Sequence, residues 1–148
     1  MAGAKTIAVK NYRDLTVWNK AVEAIVECYR LAKMLPKNET YGLISQMQRA
    51  AISVPANIAE GHGREHLGDY LHHLSVANGS LMELETHVII ANRLRYLAEE
   101  ETRALFTLTG EVSRMLAVMT RNIKNRAANP ETTWHLAPST WHLCLAAF

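Results

Sequence analysis

The chain has 148 residues, 49% of them apolar, and carries 16 Lys and Arg against 14 Asp and Glu for a net charge of +2. A domain of this length buries a core without disulfides or structural metals, and the two cysteines, Cys28 and Cys144, have neither a Cys-x-x-Cys nor a zinc-ligand spacing around them. A nearly balanced charge excludes a whole-chain field strong enough to announce a nucleic-acid binder, so any such role has to rest on local patterning.

Residues 1–11 read as an N-terminal extension. Its Thr6-Ile7-Ala8-Val9 run is too short for a signal-peptide core or a membrane span, which predicts a cytoplasmic protein. Beyond it, apolar residues recur at helical steps in four stretches, with no period-two alternation bounded by turn residues, so the class is all-α. In the first stretch Leu15, Trp18, Val22, Ile25, Tyr29 and Ala32 stand three or four apart, with Asp14 as the expected N-cap and Pro36 as the stop. The second begins near Glu39 and Thr40 and carries Leu43, Met47, Ala50, Val54 and Ile58 up to Gly61-His62-Gly63. Pro55 within it removes one backbone hydrogen bond at a cost of roughly 3 kcal/mol in a straight helix, so a bend within a turn of it is expected.

The third stretch, 67–94, repeats Leu71, Leu74, Ala77, Leu81, Leu84, Val88 and Ala91, with Gly79 at its middle. A glycine there costs about 1 kcal/mol against alanine, tolerable where a neighbouring backbone packs closely. The fourth, 99–126, carries Leu105, Leu108, Val112, Met115, Met119 and Ile123; its acids come first and its bases last, which suits the helix dipole. Short connections between such helices favour an antiparallel up-and-down four-helix bundle over residues 12–126. Residues 127–148 form a C-terminal tail with two prolines, no basic residue, and Thr-Trp-His-Leu at 133–136 and again at 140–143. Its apolar residues, Trp134, Leu136, Trp141, Leu143 and Phe148, leave three readings open: docking on the bundle, binding a partner, or an incidental extension.

The chemistry of bundle enzymes is not written in these helices. A di-iron site needs paired Glu-x-x-His motifs, and the nearest approach is Glu83 with His87. His62, His66, Asp69 and His73 would share a helix face only if the third helix began early, and Gly61 and Gly63 turn that stretch into a loop. There is no Gly-x-Ser-x-Gly elbow and no glycine-rich phosphate loop. No catalytic residue, metal ligand or cofactor is assigned, and the expectation is a non-enzymatic protein.

Two polar patterns carry more. Gln46, Arg49, Ser53, Asn57 and Glu60 recur at steps of three and four beside small residues, an arrangement suited to a close inter-helix or inter-subunit contact with satisfied hydrogen bonds, the alternative being an ordinary solvent-exposed face. On the fourth helix Arg114, Arg121 and Lys124 follow at steps of seven and three with Arg126 nearby, a stripe able to hold phosphates; Arg93, Arg95 and Arg103 add charge around the preceding turn.

The segments Tyr12-Arg13-Asp14-Leu15-Thr16-Val17-Trp18, Tyr41-Gly42-Leu43, Gln46 through Gly61 with its Asn57-Ile58-Ala59-Glu60-Gly61, and Ala77-Asn78-Gly79-Ser80-Leu81-Met82-Glu83-Leu84-Glu85 carry a resemblance. Together they resemble the four-helix-bundle proteins found in 23S ribosomal-RNA intervening sequences, over roughly residues 12–124. The resemblance implies a bacterial, ring-like homopentamer without catalysis. The same fold is used by the accessory variability determinant of diversity-generating retroelements, a basic pentamer that binds a reverse transcriptase and nucleic acid. This chain departs from the pattern at Gln48, where an arginine is frequent, and in the tail. The expectation is therefore a homo-oligomeric scaffold, pentameric by the resemblance, that engages RNA, DNA or a nucleic-acid enzyme such as a reverse transcriptase. Arg114, Arg121, Lys124 and Arg126 would carry the contact, with Arg49 and Arg64 as second choices that internal ion pairs could instead consume. The alternative is a structural or protein-binding module that touches no nucleic acid.

Overall fold

A computed structural model describes residues 11–128; residues 1–10 and 129–148, and with them the repeated Thr-Trp-His-Leu, lie outside the described residues. The four expected helices are present as α1 (Thr16–Ala32), α2 (Leu43–His62), α3 (Leu67–Arg93) and α4 (Glu99–Ala128). Each packs against the next in sequence, and α4 closes back onto α1. The chain is an all-α four-helix bundle.

The entry to α1 differs from expectation. Asp14 does not cap the helix: it lies within a 3-10 turn, Tyr12–Asp14, and Leu15 takes the cap position without a side-chain bond. Asn19 does the tying instead, its amide donating to the carbonyls of Arg13 at 2.8 Å and Leu15 at 3.0 Å. At the next junction the Glu39 carboxylate accepts from the Leu43 backbone N–H at 3.0 Å, satisfying one of the free donors at the start of α2. From there α2 runs through Pro55 to His62 without stopping. Gly61 is required near its end, because a Cβ there would stand 2.8 Å from Tyr70 Cδ2 and 2.9 Å from His73 Cβ. The missing side chain lets α2 and α3 approach closely where they leave their connecting turn.

The core follows the predicted seams of α2, α3 and α4, with Met47, Val54 and Ile58 facing Leu74, Leu81 and Val88, and Leu105, Val112 and Ile123 closing the far side. Leu15 and Ala32, at the two ends of the line predicted for α1, are buried, but between them the buried face is turned. Val17, Ala21, Ala24, Cys28 and Leu31 are buried, whereas Trp18, Val22 and Ile25 are half-buried and Tyr29 is exposed. Small residues on the inward line let α1 sit close to its neighbours, and the bulky ones flank the contact; a reading that follows the largest apolar side chains takes the flank for the centre. The buried threonine hydroxyls are satisfied, Thr109 donating to Glu85 at 2.5 Å and Thr102 to the Glu99 carbonyl at 3.0 Å, whereas the buried Tyr70 hydroxyl has no hydrogen-bond partner among the described residues.

The outer side of α3 is unusual for a surface helix. Val76, Met82, Ile89 and Ile90 are exposed there, Met82 by 62%, with Leu94 just past the helix end, so large apolar residues stand on the outer side among the exposed His72, Ser75, Glu83 and Thr86. Gly79 sits among them, and a Cβ built on it meets no described atom within 4 Å. The sequence-level reason for tolerating that glycine, close packing inside the chain, is not met among the described residues.

Candidate nucleic-acid interface

An α-helix turns about 100° per residue, so Arg114 and Arg121 fall within about 20° of one another on α4, with Lys124 about 60° further round. All three are exposed. None makes an ion pair with a described residue. Arg103, eleven residues before Arg114, falls on the same line and is also exposed, which extends the basic line over about 30 Å of helix. Its alignment was available from the sequence as a spacing of three full turns. Arg126 is turned about 140° from Arg121 and is half-buried, so it stands on the shoulder toward α1 and not on that line. The acids of α4 lie in its N-terminal half, and Glu99 and Glu100 stand one turn before Arg103 on the same side of the helix. Glu99, Glu100 and Glu101 lie in the first turn, and Glu111 is held 3.2 Å from Lys20 of α1, whose own pKa is raised by its hydrogen bonds to Glu111 and Glu23. Beyond Glu111 the helix has no carboxylate.

The predicted polar stripe of α2 is occupied within the chain along most of its length. Ser80 of α3 donates to Ser53 Oγ at 2.8 Å. The Asn57 amide nitrogen donates to the Ser53 carbonyl at 2.9 Å and its hydroxyl at 3.1 Å, which leaves the Asn57 carbonyl oxygen as acceptor for His73 Nδ1 at 3.1 Å. That arrangement places the proton of neutral His73 on Nδ1 and turns Nε2 toward Glu60, 3.8 Å away. Glu60 also pairs with Arg64, so this second-choice arginine has an internal partner. Arg49 is exposed and Gln46 half-buried; neither makes a side-chain bond with a described residue. Sequence reasoning found the α2 half of this seam and missed Ser80 and His73, its partners on α3.

The four-residue set His62, His66, Asp69 and His73 is not brought together. Among the described residues no three His, Cys, Asp or Glu side chains are placed to hold a metal ion. His66 is the extended N-cap of α3, so the helix begins too late to align the four. Nor is any helix among the described residues long and apolar enough to cross a membrane.

Beside the basic line, where the start of α1 meets α4, lies a groove of about 190 Å³ walled by Leu15, Val17, Met115, Val118 and Met119, with Arg114 at its rim. Nothing in the periodicity marked this groove, because it arises between two helices.

No curated protein matches the sequence. Among solved structures the chain is similar to a protein with unknown function from the S23 ribosomal protein family of Bacteroides thetaiotaomicron VPI-5482, 23% identical, covering 71% of this chain and 98% of that one with a TM-score of 0.66. At that identity the likeness is one of fold. The family described as 23S rRNA-intervening sequence protein matches residues 13–118, a span that includes Arg114 and ends before Arg121, Lys124 and Arg126. With most of the bundle inside that match, the chain belongs to the 23S rRNA-intervening sequence protein family.

Proposed function

We propose that this chain is a non-enzymatic, cytoplasmic, homo-oligomeric scaffold that binds RNA or DNA along the outer face of α4. The observation that carries this reading is the exposed line of Arg103, Arg114, Arg121 and Lys124, none of them in an ion pair with a described residue, on a helix that has no carboxylate beyond Glu111. Favourable interaction with the helix dipole accounts for basic residues in the last turn, but the effect fades within a turn, and Arg114 and Arg121 stand further back. Self-association is supported by the apolar outer face of α3 and by Gly79, open in the single chain and suited to close approach of a second backbone. In the pentameric arrangement that the resemblance implies, five copies carry a charge of about +10, and individually weak phosphate contacts add when one strand crosses several subunits. A nucleic-acid enzyme such as a reverse transcriptase is the protein partner consistent with the same surface. The second reading, a protein-binding module without nucleic acid, is favoured by the apolar face of α3 alone.

Charge reversal separates the two. Arg121→Glu with Lys124→Glu is expected to abolish retention of a fluorescein-labelled single-stranded RNA at low salt while leaving the mass by light scattering unchanged. Parent protein that retains no RNA and no DNA at low salt, yet assembles, would favour the protein-binding module. Neutralising a single phosphate-binding side chain is expected to reduce the slope of log affinity against log salt by about 0.7.

A further inference from the structure

We infer that the groove between the start of α1 and α4 seats one unpaired base of a single-stranded nucleic acid, with the neighbouring phosphates on Arg114, Arg121 and Arg126, so that the chain prefers single strands to duplex. The inference rests on the nucleic-acid reading above and names the form of nucleic acid that it takes.

Size and lining call for a flat apolar group. A cavity of about 150 Å³ holds a benzene ring, so the groove, at about 190 Å³, has room for one base and not for two stacked ones. Leu15 and Val17 wall it on one side and Met115, Val118 and Met119 on the other. Methionine thioethers adapt to the face of a ring, and apolar side chains of this kind are what proteins set against unstacked bases. Among the described residues of the lining only Thr16 and Arg114 are polar, so the site responds to a base being unpaired more than to which base it is.

Charge decides what carries that base. Val118 stands about 6 Å beyond Arg114 along α4 and about 4.5 Å before Arg121, turned from them by about 40° and 60° toward α1. Arg126, which is off the outer line, falls within about 20° of Met119 around the helix and about 10 Å past it, on the groove's own shoulder. None of these arginines makes an ion pair with a described residue. The nearest carboxylate of α4, Glu111, is held by Lys20, and Arg13 and Asp14 in the turn before α1 offset one another. An uncharged apolar ligand leaves the arginines unused and a lone carboxylate meets one of them, whereas a strand reaches all of them while one of its bases fills the groove. A duplex keeps its bases stacked and paired, and drawing one out opposes binding. Lys124 lies on the other side of α4 and holds phosphate without reaching the groove.

The test uses the full chain and fluorescence anisotropy at low salt. Labelled single strands of RNA and of DNA, of about twelve nucleotides, are each compared with an abasic strand of the same length and with the corresponding duplex. The abasic strand keeps the phosphates and lacks the bases. For whichever nucleic acid the chain retains, the intact single strand is expected to bind about tenfold more tightly than the abasic strand or the duplex. Val118→Gln puts an amide into the groove at unchanged charge; it is expected to weaken the intact strand about five- to tenfold and to leave the abasic strand and the salt slope unchanged. Lys124→Gln is expected to weaken intact and abasic strands alike. A measurement on the native chain stands beside the variants: a strand carrying iodouracil, irradiated in the complex, is expected to crosslink within the tryptic peptides 14–20 or 115–121, which hold the two walls. Equal affinity for intact and abasic strands, equal affinity for duplex, equal weakening of both strands by Val118→Gln, or crosslinks confined to other peptides overturns the base site and leaves phosphate binding standing. A loss of assembled mass by light scattering in Val118→Gln gives the groove to a second copy and overturns it too. Should the parent retain neither RNA nor DNA in any form, the nucleic-acid reading itself fails and the base site with it.

Discussion

Replacing Gly61 with alanine tests how closely α2 and α3 are pressed together. Apolar carbons rest about 3.5 to 4.0 Å apart, and the new Cβ would stand 2.8 Å from Tyr70 Cδ2 and 2.9 Å from His73 Cβ. Neither atom can swing away cheaply. The Tyr70 ring is 8% exposed and belongs to the core, and His73 Cβ is fixed to the α3 backbone while its ring is held by Asn57. The helices must therefore separate by close to 1 Å at their tightest point, stretching the bonds between Ser53, Ser80, Asn57 and His73. Overpacking of this kind costs about 1 to 3 kcal/mol, and the better helix propensity of alanine returns up to about 1 kcal/mol. The expected result is a net loss of about 1 to 2 kcal/mol in urea unfolding followed by circular dichroism, at fixed protein concentration because assembly shifts apparent stability. Gly68→Ala is the matched comparison: it lies on the exposed side of α3 with no atom within 4 Å of a new Cβ and is expected to be neutral or stabilising. A Gly61→Ala variant as stable as Gly68→Ala would refute the close-packing argument.

Arg95 has φ of 60° just past the end of α3, in the left-handed region where glycine is favoured. Arg95→Gly is accordingly expected to raise stability by about 1 kcal/mol in the same assay. Burial raises the Cys28 thiol from its ordinary 9.0 to about 12, so its contribution to stability is fully present below pH 9 and is lost as pH rises from 9 toward 12, because the unfolded chain gives up its proton first. Urea midpoints at pH 7, 9.5 and 10.5 should fall less steeply for Cys28→Ala than for the parent. Burial also raises the Tyr70 phenol, whose share of the same loss starts above pH 10 and survives that substitution. Met82→Glu, on the outer side of α3, is expected to change the stability of the lone chain by less than about 0.5 kcal/mol and to lower the assembled mass by light scattering.

The helices were legible because their apolar residues repeat at helical spacing, and glycine and proline mark the connections. What periodicity cannot settle is the rotation of a helix whose apolar residues cover a wide arc. On α1, Trp18, Val22 and Ile25 and the smaller Ala21, Ala24 and Cys28 both recur at three and four, and packing distance between backbones selected the small line. The same limit applies to the candidate site. The alignment of Arg114 and Arg121 follows from helical arithmetic, but the shoulder position of Arg126, the pairing of Arg64 with Glu60 and the groove beside Arg114 depend on neighbouring helices. The α2 stripe reads as a contact because amides and hydroxyls alternate between small residues; its partner face on α3 is hidden because Ser80 and His73 lie within an apolar repeat.

Residues that serve folding alone tend to agree with their local surroundings, and conflicts gather where a surface has another use. On α1 the exposed apolar residues Val26 and Tyr29 are interspersed with Glu23, Glu27 and Arg30, and Arg30 is paired with Glu27, as expected of a solvated face. The outer sides of α3 and α4 agree less well. Four large apolar residues of α3 and Leu94 beyond its end are exposed, Arg95 occupies a glycine position there, and Arg114, Arg121 and Lys124 have no carboxylate four residues to either side. A protein-binding module accounts for α3 and leaves the unpaired bases of α4 unexplained. A nucleic-acid-binding monomer accounts for α4 and leaves the apolar face of α3 exposed. The proposed assembly, with α3 at the subunit contact and α4 turned to phosphates, is an arrangement under which both sets of conflicts are used.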